Sequence, residues 1–225
     1  MITLNKLILK FLLIPATISV LSGKASGSSV CSKFKTTPKI TTTINYGTPT
    51  YTLVPKNKIT TIAGLKNPLR TMGLTIADFQ IQFSLGIDKH EVENGLCINI
   101  NTINFDIGYN SLDVIIDEKY NTNSCQYKTI KRHEQEHIRI YQNELKYYGK
   151  LITDEMKILM ENLEPFYLSN GASENKINKK IDHILNSDEK LNILKSRLKQ
   201  ALIEKNIAHD SQSEYIRIKN SCTSW

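Results

Sequence analysis

The sequence predicts an α+β fold in which an N-terminal, mostly antiparallel twisted sheet packs on a C-terminal hairpin of long helices. Two patterns support this prediction. Apolar and polar residues alternate along much of residues 39–117, and a period of two is typical of half-buried strands. Across residues 124–208 apolar residues recur at steps of three and four, which indicates helices that each bury one face.

The strands are predicted from the alternation and from the turn residues between the runs. The clearest alternation covers residues 79–87, where Phe, Ile and Leu alternate with Gln, Ser and Gly. The sequences N-G at 94–95 and G-Y-N-S at 108–111 predict turns. Residues 46–54 contain a glycine and a proline and predict an edge strand or a loop. Shorter apolar runs that predict further strands lie at residues 98–100, 103–107 and 112–116.

Two long helices are predicted in the second half of the chain. The first covers residues 124–164, because Gly and Pro are almost absent from it and Pro165 ends the pattern. The second begins near Ser173, which can cap its N-terminus, and continues to about residue 208. The residues N-S-D at 186–188 allow a break within it.

The first of these helices contains the sequence H-E-x-x-H as His133, Glu134 and His137. Residues four apart lie on the same face of a helix, so the two imidazoles can bind one metal ion. Zinc suits such a site because it accepts neutral imidazole and, with three protein ligands, keeps a fourth position for water. The motif therefore predicts Zn²⁺ as the cofactor, with His133 and His137 as two of its ligands.

Glu134 stands beside the open position of such a metal and is the predicted general base. Zinc lowers the pKa of its bound water to about 7 and polarises a carbonyl, while a carboxylate can take the proton and pass it to the leaving amine. This chemistry hydrolyses peptide bonds. The alternative is that both histidines are partly exposed surface residues, or are satisfied by neighbouring Glu and Tyr side chains.

The N-terminus predicts a secretory signal peptide over residues 1–25. It has a lysine near its start, a short apolar stretch, and small residues before a cleavage site after Ala25. The mature domain would then comprise residues 26–225, with no stable membrane insertion after cleavage. It would carry 29 − 3 = 26 basic against 22 acidic residues. The basic residues are interspersed with acids, which argues against a nucleic-acid partner.

Four cysteines remain in the predicted mature domain, and they contain no C-x-x-C pair. An even number of cysteines in an exported chain predicts two disulfides, with three pairings available. Cys125 and Cys222, near the start of the H-E-x-x-H helix and near the chain end, make a plausible pair. We therefore expect the protein in a periplasm or outside the cell.

The order of these features resembles a family of bacterial domains of unknown function described as predicted secreted zinc-dependent proteases, of the H-E-x-x-H zincin group. The resemblance runs from the alternating strand at 79–87, through G-L-C-I-N-I at 95–100 and S-C-Q-Y-K-T-I-K-R-H-E-Q-E-H at 124–137, to the terminal segment. It covers most of the mature chain and implies a zinc-dependent peptidase with a zincin-like fold. It does not imply a particular substrate.

The third zinc ligand is expected from another segment, because later residues of the same helix lie too far along its axis. The family has a terminal stretch of the type Y-D-x-x-T-x-H-G, and residues 209–216 read H-D-S-Q-S-E-Y-I. The resemblance thus implies Asp210 as a metal ligand. His209 is the more zinc-like side chain, and Tyr215 is an outer ligand or a catalytic oxyanion donor. Glu174 and Glu189 are the alternatives further away.

These observations predict a secreted or periplasmic zinc peptidase that acts on a peptide or protein substrate. The alternative is a non-catalytic envelope or secreted binding protein that retains a zincin-like fold. Zinc bound by the mature chain would distinguish the two. The sequence does not indicate an oligomeric state.

Overall fold

The computed structural model of the protein describes residues 28–63, 72–169 and 174–225, so the predicted signal peptide lies outside the described residues. The chain has an α+β fold, which confirms the predicted class. Its helices are α1 Ser28–Cys31, α2 Lys56–Ala63, α3 Cys125–Glu161, α4 Glu174–Ser187, α5 Glu189–His209 and α6 Gln212–Asn220. Its strands are β1 Lys39–Asn45, β2 Pro49–Val54, β3 Gly73–Val92, β4 Gly95–Asp117 and β5 Phe166–Ser169.

Strand β4 is the centre of the sheet. The long strand β3 pairs with it antiparallel along one side. The other side of β4 is shared along its length by β5, which is antiparallel, and by β1 and β2, which are parallel to it. The sheet is therefore mixed, and a mostly antiparallel sheet is not confirmed. Alternation of apolar residues reports which face is buried, but it carries no information on the direction of the neighbouring strand.

One of the two predicted turns exists and the other does not. The N-G turn joins β3 to β4, with Asn94 at φ 64°. The predicted turn at 108–111 is wrong, because β4 continues through it. Gly108 is needed there for close approach: its φ is 148°, and a Cβ atom would lie 1.9 Å from the carbonyl oxygen of Asn45 in β1.

Helix α3 lies across one face of the sheet and carries the H-E-x-x-H motif. It begins at Ser124, whose side chain accepts a hydrogen bond from the backbone N–H of Tyr127 and so caps the helix. Its apolar stripe contacts the inner face of β4, where the rings of Tyr109 and Tyr141 meet edge to face at 5.6 Å between centroids. The helix residues buried in this core are Ile130, Ile138, Tyr141, Leu145, Ile152, Met156 and Met160.

Helix α5 runs antiparallel to α3 and covers its other side. Near the start of α5, Lys190 forms an ion pair with Glu155, and near its end Lys205 forms one with Glu144. The second predicted helix is broken where the sequence allowed a break, because Asp188 caps α5 at Leu191 N–H. The predicted hairpin is not confirmed as a simple pair of helices, since β5 and α4 come between its arms.

A smaller apolar cluster covers the opposite face of the sheet at one end. It contains Val54, Ile59, Leu74 and Ile115, with α2 providing Ile59. Helix α2 was not predicted from the sequence. Its two turns carry a short apolar pattern that is too brief to distinguish from a loop.

Two disulfides join distant parts of the chain, as predicted, and the described residues contain no free cysteine. Cys31–Cys97 is fully buried and ties the N-terminal segment to β4. Cys125–Cys222 ties the start of α3 to the segment after α6, which is the pairing expected from the sequence. Disulfides of this kind are typical of proteins that fold in an oxidising compartment. Over the three described ranges, no helix is long and apolar enough to cross a membrane.

Replacing Cys125 and Cys222 together by alanine should lower the free energy of unfolding by about 2–5 kcal/mol, because the crosslink restricts a long loop of the unfolded chain. Unfolding in urea under non-reducing conditions measures the change. An unchanged unfolding midpoint would contradict the pairing. Thiol titration of the denatured, unreduced parent provides the control: no thiol should react, whereas four reactive thiols would show that neither disulfide forms.

Candidate metal centre

Three helices bring the candidate residues together. Helix α3 presents His133 and His137 one turn apart on the side that faces α5. Helix α5 ends at His209, and Asp210 follows as its C-cap, so both residues lie where the chain turns toward α6. Ser211 then caps α6 through its hydroxyl, which fixes the corner between the two helices.

Two imidazole nitrogens and one carboxylate oxygen meet at a single point. Oδ1 of Asp210 lies 3.2 Å from Nε2 of His133 and 3.1 Å from Nε2 of His137. The two Nε2 atoms lie 3.3 Å apart. Metal–ligand bonds of about 2.0 Å in tetrahedral geometry separate neighbouring donor atoms by about 3.3 Å. The three distances are therefore close to the edges of a zinc-sized tetrahedron.

His209 adds a third imidazole to the same cluster. Its ring stacks on that of His133, with centroids 4.4 Å apart and planes inclined by 19°. One ligand atom each from His133, His137 and His209 lies within 4.8 Å of the others, so this group could hold a metal ion. However, Nε2 of His209 lies 3.3 Å from the carbonyl oxygen of His133. A carbonyl only accepts hydrogen bonds, so this nitrogen donates, and only Nδ1 of His209 keeps a lone pair for a metal.

The other ring nitrogen of each motif histidine faces a polar partner. Nδ1 of His137 lies 2.5 Å from Oδ1 of Asn206 in α5, and Nδ1 of His133 lies 3.5 Å from Oε1 of Glu214 in α6. Neither partner was identified from the sequence. Asn206 had a weak signal, because it lies four residues before Asp210 along α5, whereas Glu214 lies on the next helix and had none.

Glu134 is buried against the start of strand β3, and only 3% of its surface is exposed. The hydroxyl of Thr75 donates a hydrogen bond of 2.7 Å to its Oε2. Gly73 leaves room for the other oxygen: a Cβ atom at this position would lie 2.7 Å from Oε1 and 2.8 Å from Cγ2 of Ile130. The side chain is thus held between α3 and β3, beside the two histidines.

Opposite charges determine the protonation of this cluster in the absence of metal. Burial lowers the pKa of His137, but the hydrogen bond to Asp210 and the charges of Glu134 and Asp210 outweigh it and raise the pKa to about 9. Burial raises the pKa of Asp210, yet its bonds to His133 and His137 bring that pKa well below the ordinary value. Burial and the two neighbouring imidazoles lower the pKa of His209.

Tyr215 and Glu189 lie outside this cluster. The Tyr215 side chain is 37% exposed, and among the described residues no hydrogen bond, ion pair or ring contact joins it to the motif histidines. Its role stays a prediction. Glu189 begins α5 at the end opposite His209, about 30 Å away along the axis. The side chain of Glu174 lies outside the described part.

The metal-free protein should lose stability as the pH rises from 6.5 to about 9. Because the folded pKa of His137 is raised to about 9 from 6.5, its contribution is complete below pH 6.5 and is lost as the pH passes through 9. The expected loss is roughly 2–4 kcal/mol, at 1.36 kcal/mol per pKa unit. Asp210 has a lowered pKa, so its contribution persists across this window and is lost only in acid.

Urea unfolding in a metal chelator at pH 6 and at pH 9 measures this loss. Asp210→Asn serves as the comparison, because it removes the carboxylate that holds the proton on His137. The variant should be less stable than the parent at pH 6 and should change less between the two pH values. An equal pH dependence in parent and variant would show that the contact between Asp210 and His137 does not contribute.

Comparison of the chain with protein-family models, with curated proteins and with solved structures finds no match. The resemblance to the predicted secreted zinc-dependent proteases therefore rests on the sequence features alone and stays a prediction. The site itself consists of a buried carboxylate next to a histidine group that could hold a metal ion.

Proposed function

We propose that this protein is an exported zinc-dependent hydrolase of peptide bonds with a zincin-like arrangement of its active site. The observation that carries the proposal is the meeting of Nε2 of His133, Nε2 of His137 and Oδ1 of Asp210 at 3.1–3.3 Å from one another, next to buried Glu134. Zinc commonly has three protein ligands of this kind in catalytic sites.

Asp210 is the third ligand in this proposal. Its Oδ1 is within 3.2 Å of both metal-facing nitrogens, whereas His209 uses Nε2 against a backbone carbonyl. A set of two imidazoles and one carboxylate suits zinc, while calcium and magnesium prefer oxygen ligands alone. His209 instead stacks on His133 and restricts the rotation of that ring.

The chemistry divides between the metal and Glu134. When bound, zinc supplies Lewis acidity that polarises a carbonyl and acidifies a water molecule. Glu134 takes the proton of the attacking water and delivers it to the leaving amine nitrogen. Thr75 binds Oε2 of this carboxylate, which leaves Oε1 to exchange the proton. Burial between α3 and β3 holds Glu134 in one orientation, so little reorganisation is needed during the reaction.

The open edge of β3 supports an extended peptide as the substrate. Among the described strands, β3 pairs only with β4, so the backbone groups of its outer edge have no strand partner. Thr75 on this strand contacts the proposed base, which connects the edge to the chemistry. A peptide that added as a further strand would receive main-chain hydrogen bonds beside Glu134. The two disulfides and the N-terminal sequence support export to a periplasm or outside the cell.

A second candidate function is a non-catalytic exported binding protein. It is favoured by the contacts of Asp210 with both histidines, because a charged pair of this kind can satisfy the buried imidazoles without any metal. Zinc content separates the two functions. About one zinc ion per chain after folding with excess zinc supports the peptidase, and none supports the binding protein.

Glu134→Gln should keep zinc and fold while turnover of a peptide library falls by about 10²–10⁴-fold, the usual value of general acid and base catalysis. Turnover is measured on unfolded polypeptide and on mixed peptides at equal zinc occupancy. Glu136→Gln is the matched control, because it makes the same change on the outer side of α3. Full activity in Glu134→Gln would remove Glu134 from the mechanism.

Zinc affinity of single-alanine variants identifies the ligands. His133→Ala, His137→Ala and Asp210→Ala should each weaken zinc binding by more than about 100-fold, because loss of an outer partner alone costs about 10–100-fold. His209→Ala should weaken it less, since that ring stacks on His133 and contacts its carbonyl oxygen but is not a ligand in this proposal. If His209→Ala loses zinc and Asp210→Ala keeps it, the three-histidine group is the site.

A further inference from the structure

We propose that Asn206 and Glu214 are positioning residues that hold both motif imidazoles with hydrogen on Nδ1, so that the two Nε2 atoms are the metal-binding nitrogens. This inference rests on the proposed zinc site. It concerns how the protein selects one of the two ring nitrogens in each histidine, which the H-E-x-x-H spacing does not determine.

The orientation of the Asn206 amide is fixed by its own helix. Asn206 is 95% buried, and its Nδ2 donates a hydrogen bond of 2.6 Å to the carbonyl oxygen of Leu202. Because a carbonyl cannot donate, the NH₂ group must face Leu202, and Oδ1 must face His137. The 2.5 Å contact with Nδ1 of His137 therefore has the imidazole as donor.

This donor assignment determines which nitrogen of His137 can bind a metal. A neutral imidazole carries one hydrogen, and the nitrogen without it has the lone pair. With the hydrogen on Nδ1, the lone pair lies on Nε2, which is the atom that faces Asp210. Asn206 thus imposes on the ring the tautomer that the proposed site needs.

Glu214 plays the corresponding part for His133 from helix α6. Its Oε1 lies 3.5 Å from Nδ1 of His133, a buried atom that makes no hydrogen bond to the described residues, so the carboxylate acts on this nitrogen as a nearby negative charge. Arg217 holds the carboxylate in place, with its Nε donating to Oε2 at 2.6 Å. A carboxylate accepts only, so this contact too favours hydrogen on Nδ1 and leaves Nε2 facing Asp210.

The two positioning residues come from different helices, and the candidate third ligand lies between them. Asn206 is in the last turn of α5 and Glu214 is in the first turn of α6, with Asp210 at the corner. Both helices therefore act on the same two rings of α3. This arrangement gives each histidine an outer partner of its own, so each can be tested without changing a proposed ligand.

The experiment uses the full mature chain, labelled with ¹⁵N at histidine and loaded with zinc. Long-range ¹H–¹⁵N spectra show which ring nitrogen carries hydrogen and which binds the metal. In the parent, both motif histidines should have hydrogen on Nδ1 and zinc on Nε2. Zinc on Nδ1 of either motif histidine would overturn the inference for that residue.

Zinc affinities measured with a competing chelator complete the test. Asn206→Leu, which keeps the branched side-chain shape but has no acceptor, and Glu214→Leu, which removes the acceptor carboxylate, should each weaken zinc binding by about 10–100-fold. Asn206→Asp, which still accepts from Nδ1, should restore most of the loss relative to Asn206→Leu. Glu204→Leu on the exposed side of α5 makes the same change and should bind zinc like the parent.

The failure of this inference can be told from the failure of the proposed function. If the parent binds no zinc, the proposed function fails, and the positioning roles fail with it. If the parent binds zinc but Asn206→Leu and Glu214→Leu keep its affinity and its ring spectra, only the positioning roles are wrong. Because Glu214 lies outside the apolar core, its variant tests the inference even if Asn206→Leu does not fold.

Discussion

The contact between Asp210 and the two histidines of α3 is the interaction on which the rest of the site depends. It joins residues 77 and 73 positions apart in the chain, and it exists only if α5 returns antiparallel along α3 and ends level with the motif. The ion pairs at both ends of the α3–α5 contact fix that register. The disulfide between Cys125 and Cys222 then limits how far α6 can move from α3.

The electrostatics of the cluster make a proton and a metal ion competitors for the same place. Asp210 and Glu134 raise the pKa of His137 to about 9, so that without metal an imidazolium neutralises the buried carboxylates. A divalent ion bound at Nε2 would supply that positive charge instead and would release the proton. The same two carboxylates can therefore stabilise the metal-free fold and favour cation binding.

The local features of the fold could be predicted from the sequence, while features that depend on long-range pairing could not. The H-E-x-x-H helix, the break before α5 and the N-G turn each have a signal within a few residues. Gly108 was misread as a turn because its role, the close approach of Asn45, depends on a strand more than sixty residues earlier. The parallel direction of β1 and β2 was not predicted for the same reason, because it depends on pairing with the distant strand β4.

The site shows the same division. His133, Glu134 and His137 follow from one motif, and the alternatives near residue 210 came from the exclusion of later residues of the same helix and from the family resemblance. Asn206 was not predicted because an asparagine in an apolar helical stripe has many ordinary explanations, and only its neighbour across the α3–α5 contact reveals its partner. Thr75 was not predicted for the same reason, since its contact with Glu134 joins residues 59 apart.

X-ray absorption spectroscopy of the zinc-loaded protein tests the central claim most directly, because it reports the atoms bound to the metal without any substitution. We expect a zinc ion bound by two imidazoles and by oxygen at about 2.0 Å, the usual zinc–nitrogen and zinc–oxygen distance. A protein that takes up no zinc, or a spectrum that requires three imidazoles, would contradict a site made of His133, His137 and Asp210.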